Sequence, residues 1–383
     1  MKRSLIQRKL GKVDRAIDKA IGSAEIPGAV VLARMPREGE LLEHCSVRGL
    51  ASARPERLPM KRDTIFDLAS LTKPIATTTS ILLLAEDGLV ELDAPVAKYL
   101  PMFAERDKEG VTIRHLLTHS SGLKPWRAFH ELILEKERKT GEKLLATPAG
   151  REFILERVLR SALVHDPGDA AVYGDLDFIT LGAVVEAVSQ ESLDAFVRAR
   201  VTEPLGLTDT GFLPLAEGPV AEPLRRRIAA TENCGWREQI LWGEVHDPNA
   251  WAMGGVAGHA GLFASADDVM KFGQAVLDAW HGRGNVLPEE RVREFAKRQH
   301  LPEKSDWALG WDTPTQGQSS SGQHFSTQSI GHLGFTGTSL WIDLEKEAIV
   351  VLLTNRVHQV VKRSKFSLRP TIHDLILEAF QAE

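Results

Sequence analysis

The stretch DLASLTKPIATTTSILLLAEDGL, Asp67 to Leu89, sets a hydroxyl and then a lysine one turn later ahead of a long apolar run. Two readings compete for Ser70-Leu71-Thr72-Lys73. One is a helix N-cap followed by a surface cation; the other is a nucleophile with its activating base. Pro74 falls in the first turn of the helix that follows, where proline is tolerated. Residues i and i+3 share a helix face, which lets the Lys73 ammonium reach the Ser70 hydroxyl. Free N–H groups at a helix N-terminus can also serve half of an oxyanion hole. A second Ser-x-x-Lys string, Ser121 to Lys124, contains Gly122 and runs into Pro125, so it reads as a turn. The helix expected over Ala76 to Asp87 is apolar almost all round and belongs in the interior.

Outward from this helix, both chain ends look like sheet. Gly28 to Met35 and Glu43 to Leu50 flank the polar turn PREGE, and Ser339 to Leu344 and Ala348 to Asn355 flank the charged turn EKE. Helices are expected over Thr112 to His119, Arg151 to Arg160, Asp177 to Val188, Leu193 to Arg200, Ala266 to Trp280 with Ser265 as N-cap, and Thr371 to Phe380. Strands at both ends around a helical middle predict an α+β fold, an α/β sandwich. One antiparallel sheet is built from both termini and flanked by helices (residues 1–68 and 300–383), a mostly helical domain is inserted (residues 69–299), and the site lies in the cleft between them.

The 383 residues carry a net charge of −5 with acids and bases interspersed, so there is no basic stripe for nucleic acid. Two cysteines, Cys45 and Cys234, build neither a disulfide framework nor a metal cluster. The opening MKRSLIQRKLGKVDRAIDKAIG reads as an amphipathic helix and lacks the apolar core of a signal peptide. No apolar run approaches the roughly 18 to 20 residues of a membrane span. These features predict a cytoplasmic protein with a small-molecule substrate; the sequence carries no signal for an oligomeric state. His130-Glu131 starts like a zinc-protease helix, but Leu134 stands where the second histidine must be. His115 and His119 have i, i+4 spacing without a third ligand and read as structural. Gly254 to Gly261 is glycine-rich without the Gly-Lys-Ser/Thr of a phosphate loop.

Two further stretches stand out. Tyr173 sits between a Pro-Gly turn and an apolar helix, in a loop of the kind that carries site residues. In SIGHLGFTGTSLWID, Gly331, Gly334 and Gly337 surround His332 just before an apolar strand, where an edge strand with free N–H groups can complete an oxyanion hole.

Taken in order, Ser-x-x-Lys at Ser70, Tyr-x-Asp at Tyr173 and His-Leu-Gly at His332 resemble the three motifs of the serine β-lactamase and penicillin-binding-protein superfamily. The likeness is closest to its class C β-lactamase-like branch, which includes family VIII carboxylesterases and D-amino-acid peptidases. It covers nearly the whole chain, and TIFDLASLTKPIAT, VTIRHLLTHSSGL, EVHDPNAWAMGGVAGHAGLF and GHLGFTGTSLWID all share it. The resemblance implies that Ser70 is acylated, that Lys73 is its partner, and that Tyr173 is the base, alone or jointly with Lys73. The backbone N–H groups of Ser70 and Phe335 would form the oxyanion hole. Trp126, Asp175, His332, Gly334 and Arg356 are the candidate substrate contacts, and no metal or organic cofactor is implied.

Departures from the pattern narrow the substrate. His332 and Leu333 stand where lysine and threonine help hold a β-lactam's carboxylate. Leucine donates nothing, and a histidine of ordinary pKa, about 6.5, gains charge only toward pH 6. Asp175 replaces an asparagine or serine, and its charge favours a protonated Lys73 and repels anions. The expectation is a serine hydrolase working through an acyl-enzyme, a carboxylesterase on small neutral esters. Anionic substrates should gain affinity as His332 protonates, unless Arg356 supplies a permanent cation. A β-lactamase or D-amino-acid peptidase/amidase on the same scaffold is one alternative. The other is a catalytically silent ligand-binding module, against which the intact Ser70, Lys73 and Tyr173 argue.

Choosing Ser70 over Ser121 has a direct test. Ser70→Ala should abolish turnover and fluorophosphonate labelling with an unchanged circular-dichroism spectrum, since losing an activated nucleophile costs orders of magnitude in rate. Ser121→Ala should still be labelled; the reverse pattern would show the choice to be mistaken.

Overall fold

The computed structural model describes residues 2–358 and 366–382. Its main sheet has six strands in the order Leu58–Pro59, Glu40–Ser52, Gly28–Arg37, Ala348–Thr354, Ser339–Asp343 and Ser329–Leu333, with every neighbouring pair antiparallel. The two chain ends meet at its centre, where Val31 faces Leu352 and Ala33 faces Val350. Both expected hairpins therefore share one sheet. Ser329–Leu333, which carries His332, is an edge strand of that sheet.

Ala348–Thr354 is buried at every position, which requires cover on both faces of the sheet. On one face the helices Lys2–Gly22 and Leu368–Phe380 bring Val13, Ile17, Ile372 and Ile376 against Val31, Val350 and Trp341. On the other lies Ala266–Trp280, where Gly273 allows the close approach. A Cβ at that glycine would stand 3.1 Å from Ile349 Cγ2. This helix has the expected bounds, and the Ser265 hydroxyl accepts the Asp268 N–H at 3.3 Å as its N-cap.

The segment after Ser70 departs from the expected single helix. A 3₁₀ turn, Ala69–Leu71, leads into a π-helical stretch, Lys73–Thr78, and only then into the α-helix Thr79–Glu86. Pro74 has no N–H to give the helical ladder, and the Thr79 hydroxyl donates to its carbonyl at 3.0 Å. Wider turns of this kind are frequent where a helix carries function. Interior placement holds, since every residue from Leu71 to Ala85 is buried. Similarly, Leu193–Arg200 resolves into an α-helix Leu193–Val197 and a π-helical Arg198–Thr202. Asp175–Ser189 begins two residues earlier than expected, which puts Asp175 in a first turn whose dipole favours a carboxylate.

A second sheet of three short strands, Gly211–Phe212, Leu262–Ser265 and Ile65–Asp67, anchors the run into Ser70. Among the described residues no helix is long and apolar enough to cross a membrane.

Gly331 on the edge strand tests the packing. A Cβ there would lie 2.3 Å from Trp341 Cδ2 and 2.7 Å from the Leu340 carbonyl oxygen. Gly331→Ala should destabilise the fold by about 1–3 kcal/mol, read as a lower urea midpoint with an unchanged slope; an unaltered midpoint would show that this close approach is not needed.

Candidate active site

Ser70 is reached by a chain that is clamped on both sides. Asp67, buried at the end of its strand, accepts the N–H groups of Ala69 at 2.8 Å and His246 at 2.7 Å. From the edge of the main sheet, the Thr336 hydroxyl donates to the Asp67 carbonyl at 2.8 Å and the Thr338 hydroxyl to the Leu68 carbonyl at 3.0 Å. These bonds hold Ala69 in a left-handed conformation, φ 48°, which a non-glycine residue adopts only when its surroundings impose it. Beneath the helix, the Thr72 hydroxyl accepts the Leu262 N–H at 3.0 Å and the Thr77 hydroxyl donates to the Gly258 carbonyl at 2.7 Å. The glycine-rich stretch Gly254 to Gly261 is thus a packing surface for the nucleophile helix.

Lys73 has no solvent exposure. Its ammonium donates to Ser70 Oγ at 3.0 Å, to Asp175 Oδ1 at 2.8 Å and to the His259 carbonyl at 3.2 Å, and lies 4.9 Å from the centre of the Tyr173 ring. Burial opposes its charge, but Asp175 and then Tyr173 outweigh that penalty and hold the lysine pKa above its ordinary value. Lys73 is therefore a fixed cation at neutral pH. Asp175, Asp247 and His259 bring ligating atoms within 4.8 Å of one another. Asp175 already faces the Lys73 ammonium and His259 Nε2 is 2.9 Å from Asp247 Oδ1, which makes Lys73 the counter-ion of this cluster.

Above Ser70 opens a cavity of about 1440 Å³ lined by Trp126, Tyr173, Asp175, His332, Gly334 and Phe335, with Trp307 and Arg369 among the other walls. The structure thus gathers Ser70 and all but one of the expected substrate contacts, with Lys73 buried behind Ser70 and Asp175. Tyr173 is 41 % exposed and its ring stacks on Trp307 at 5.6 Å. Phe335, 69 % exposed, stacks on His246 at 5.5 Å. Glycine is required at 334, because a Cβ there would lie 2.0 Å from Thr338 Oγ1 and 2.4 Å from the Leu68 carbonyl oxygen, against the segment that leads into Ser70.

Two expectations about charge change. His332 is buried, and burial, followed by the Lys73 cation, drives its pKa well below the ordinary value. Its Nδ1–H donates to the Leu333 carbonyl at 2.9 Å while Nε2 has no partner. The pH-dependent cation expected at this position is therefore absent: His332 is a neutral acceptor down through pH 6. Arg356 does not line the cavity; it lies in the 3₁₀ turn Arg356–His358 with its guanidinium 4.5 Å from the Phe366 ring centre. Two arginines do line the cavity, Arg54 and Arg369; Arg369, on the C-terminal helix, donates to the Gly334 carbonyl and its Nε has no partner. Burial, then Arg356, lowers its pKa to about 9, still charged at pH 7. Sequence reading missed Arg369 because no motif precedes it. It also missed Trp307 and Asp312, which reach the cavity from irregular segments.

The model of the Beta-lactamase family matches residues 13–368. A putative D-alanyl-D-alanine carboxypeptidase of Salmonella agona (strain SL483) is 33 % identical, over 79 % of this chain and 72 % of the relative. Among solved structures, EstCE1, a hydrolase with promiscuous acyltransferase activity, superposes with a TM-score of 0.73 at 23 % identity, covering 97 % of this chain and 99 % of the other. The octameric penicillin-binding protein homologue from Pyrococcus abyssi gives 0.70 at 20 % identity, covering 97 % and 76 %. At such identities the structural likenesses show the shared fold.

Substrate charge provides the site's test. With His332 neutral and Arg369 charged throughout, the wall group that titrates in this range is Asp312, which burial raises to about 7. The KM ratio of an anionic ester to its neutral methyl ester should therefore fall from pH 8 to 6 in the wild type and stay flat in Asp312→Asn. In Arg369→Ala the ratio should rise about tenfold, the scale of a hydrogen bond to a charged group. A ratio that still falls toward pH 6 in Asp312→Asn would restore His332 as the charge reader.

Proposed function

The chain belongs to the Beta-lactamase family, and on that footing we propose that it is a carboxylesterase acting on small neutral esters through an acyl-enzyme at Ser70. The observation that carries this reading is the 3.0 Å contact of Ser70 Oγ with a Lys73 ammonium whose charge Asp175 sustains. In the proposed reaction Ser70 Oγ attacks the ester carbonyl carbon, and the backbone N–H groups of Ser70 and Phe335 receive the oxyanion. Lys73 stays protonated, so the acceptor of the Ser70 proton is the Tyr173 side-chain oxygen in its phenolate form, which becomes the phenol. Collapse of the tetrahedral intermediate breaks the C–O bond, and the same proton leaves on the alcohol. Water repeats the sequence on the acyl-enzyme, releasing the acid. The neutral His332 and the apolar Leu333 support a neutral acyl portion, as do the Trp126, Trp307 and Phe335 walls.

A second reading, a D-amino-acid peptidase, rests on a different observation. Arg369 gives the cavity a buried permanent cation suited to a free carboxylate, and relatives carry the name putative D-alanyl-D-alanine carboxypeptidase. Parallel rates on p-nitrophenyl esters, a chromogenic cephalosporin and D-alanyl-D-alanine peptides separate the two. The ester should exceed the others in kcat/KM by at least tenfold, about 1.4 kcal/mol of transition-state preference. Faster release of D-alanine would establish the peptidase reading instead.

A further inference from the structure

We propose that His119 is a positioning residue for Tyr173, gripping the chain on both sides of it, and that it does so as a neutral imidazole backed by Asp177 in its acid form. The inference rests on the acyl-enzyme reading. Val172 and Gly174 flank Tyr173. The Val172 N–H donates to the His119 carbonyl at 2.8 Å, and the Gly174 N–H donates to His119 Nδ1 at 3.3 Å. One residue thus holds the backbone before and after the tyrosine. Its ring also stands edge-to-face with Tyr173 at 4.8 Å and with Trp307 at 4.6 Å, the tryptophan that stacks on the tyrosine. His119 takes a left-handed conformation, φ 57°, a strain found where the surrounding structure requires it.

Proton positions follow from the same contacts. Nδ1 can accept from Gly174 only if it carries no proton. Asp177 Oδ2 lies 3.1 Å from that bare nitrogen, so two lone pairs would face each other unless the carboxyl is protonated and donates, sharing the one Nδ1 lone pair with the Gly174 N–H. The ring proton is then on Nε2, which is buried with no partner. Its other oxygen, Oδ1, receives the Ser121 hydroxyl at 2.5 Å, and that hydroxyl's oxygen in turn accepts the Leu123 N–H at 3.0 Å. Ser121 therefore donates to Oδ1, leaving Oδ2 as the O–H. Burial agrees: it raises Asp177 to about 8, and burial and then Lys73 lower His119 to about 3. An Asp177 anion would instead add a second unscreened negative charge close to Lys73.

The test is the rate of covalent labelling of Ser70 by a fluorophosphonate. In that step Ser70 Oγ bonds to phosphorus, the P–F bond breaks with loss of fluoride, and the serine proton goes to the site's base. Binding (KI) and the chemical step (kinact) are measured separately. His119→Ala should cut kinact about 100-fold with little change in KI, the scale of losing alignment of a reacting group. His119→Asn should recover most of it, because asparagine tolerates the left-handed backbone and its side-chain oxygen can accept the Gly174 N–H. Asp177→Leu should lose kinact as His119→Ala does, and Asp177→Asn, whose amide donates to Nδ1 and accepts from Ser121, should restore it. Labelling of His119→Ala at the wild-type kinact would overturn the inference. So would failure of Asp177→Asn to rescue, which would mean that the carboxylate charge is required. If the alanine variant does not fold, the Asp177 pair decides the matter alone. A wild type that does not label would overturn the acyl-enzyme reading itself, and this inference with it.

Discussion

A lysine ammonium with no access to water has to find its counter-charge inside the protein, and the organisation around Lys73 follows from that need. Unpaired burial of a cation would drive off its proton. Asp175 prevents this at 2.8 Å, and the His259 carbonyl and Ser70 hydroxyl take the remaining donors. To bring those three acceptors together, the chain must unite the nucleophile helix, the start of the helix Asp175–Ser189 and the glycine-rich stretch before Leu262–Ser265. Glycines let the last two approach: a Cβ at Gly258 would stand 2.1 Å from the Phe178 carbonyl oxygen.

Fixing the charge on Lys73 also changes its chemical role. A lysine that remains protonated cannot take the serine proton. In the proposed mechanism it supplies instead a constant positive field at Ser70, and the burden of accepting the proton falls on its neighbour Tyr173 as the phenolate. That tyrosine is on a loop and partly exposed, so its alignment depends on what holds the loop. The His119–Asp177–Ser121 assembly supplies this from the buried side, and Trp307 supplies a stacking face. Ala69, just before Ser70, and His119, on the segment that grips the Tyr173 loop, are both left-handed.

The cavity wall at His332 and Leu333 is uncharged, while Arg54 and Arg369 bring cations and Asp175, Glu232, Asp247 and Asp312 bring carboxyl groups to the others. His332 is neutral because its strand lies against the buried core near Lys73, while Arg369 is a cation that burial weakens without neutralising. The edge strand links the two: its end, at Gly334, gives its carbonyl to Arg369, and Gly334 lies so close to Leu68 that it fits against the approach to Ser70. The proposed acyl-group contacts and the placement of Ser70 thus share a single piece of backbone.

Much of this was written locally in the chain. The Ser70–Lys73 spacing, the apolar helix after it, the Ser265 cap and the two hairpins are short-range patterns, and each was legible because it is set by periodicity or by turn residues within a few positions. That Asp175 would favour a charged Lys73 followed from charge alone. The tertiary structure decided what depends on dielectric surroundings and distant neighbours. A histidine at 332 reads as a pH-sensitive cation until burial makes its charged form too costly. His119 and Asp177 look like isolated polar residues until the fold sets them 3.1 Å apart out of water. Arg369 lies 299 positions after Ser70 in the chain and enters the cavity only because the C-terminal helix packs across the sheet. Such effects come from desolvation and from contacts between remote segments, and neither leaves a local pattern in the order of residues.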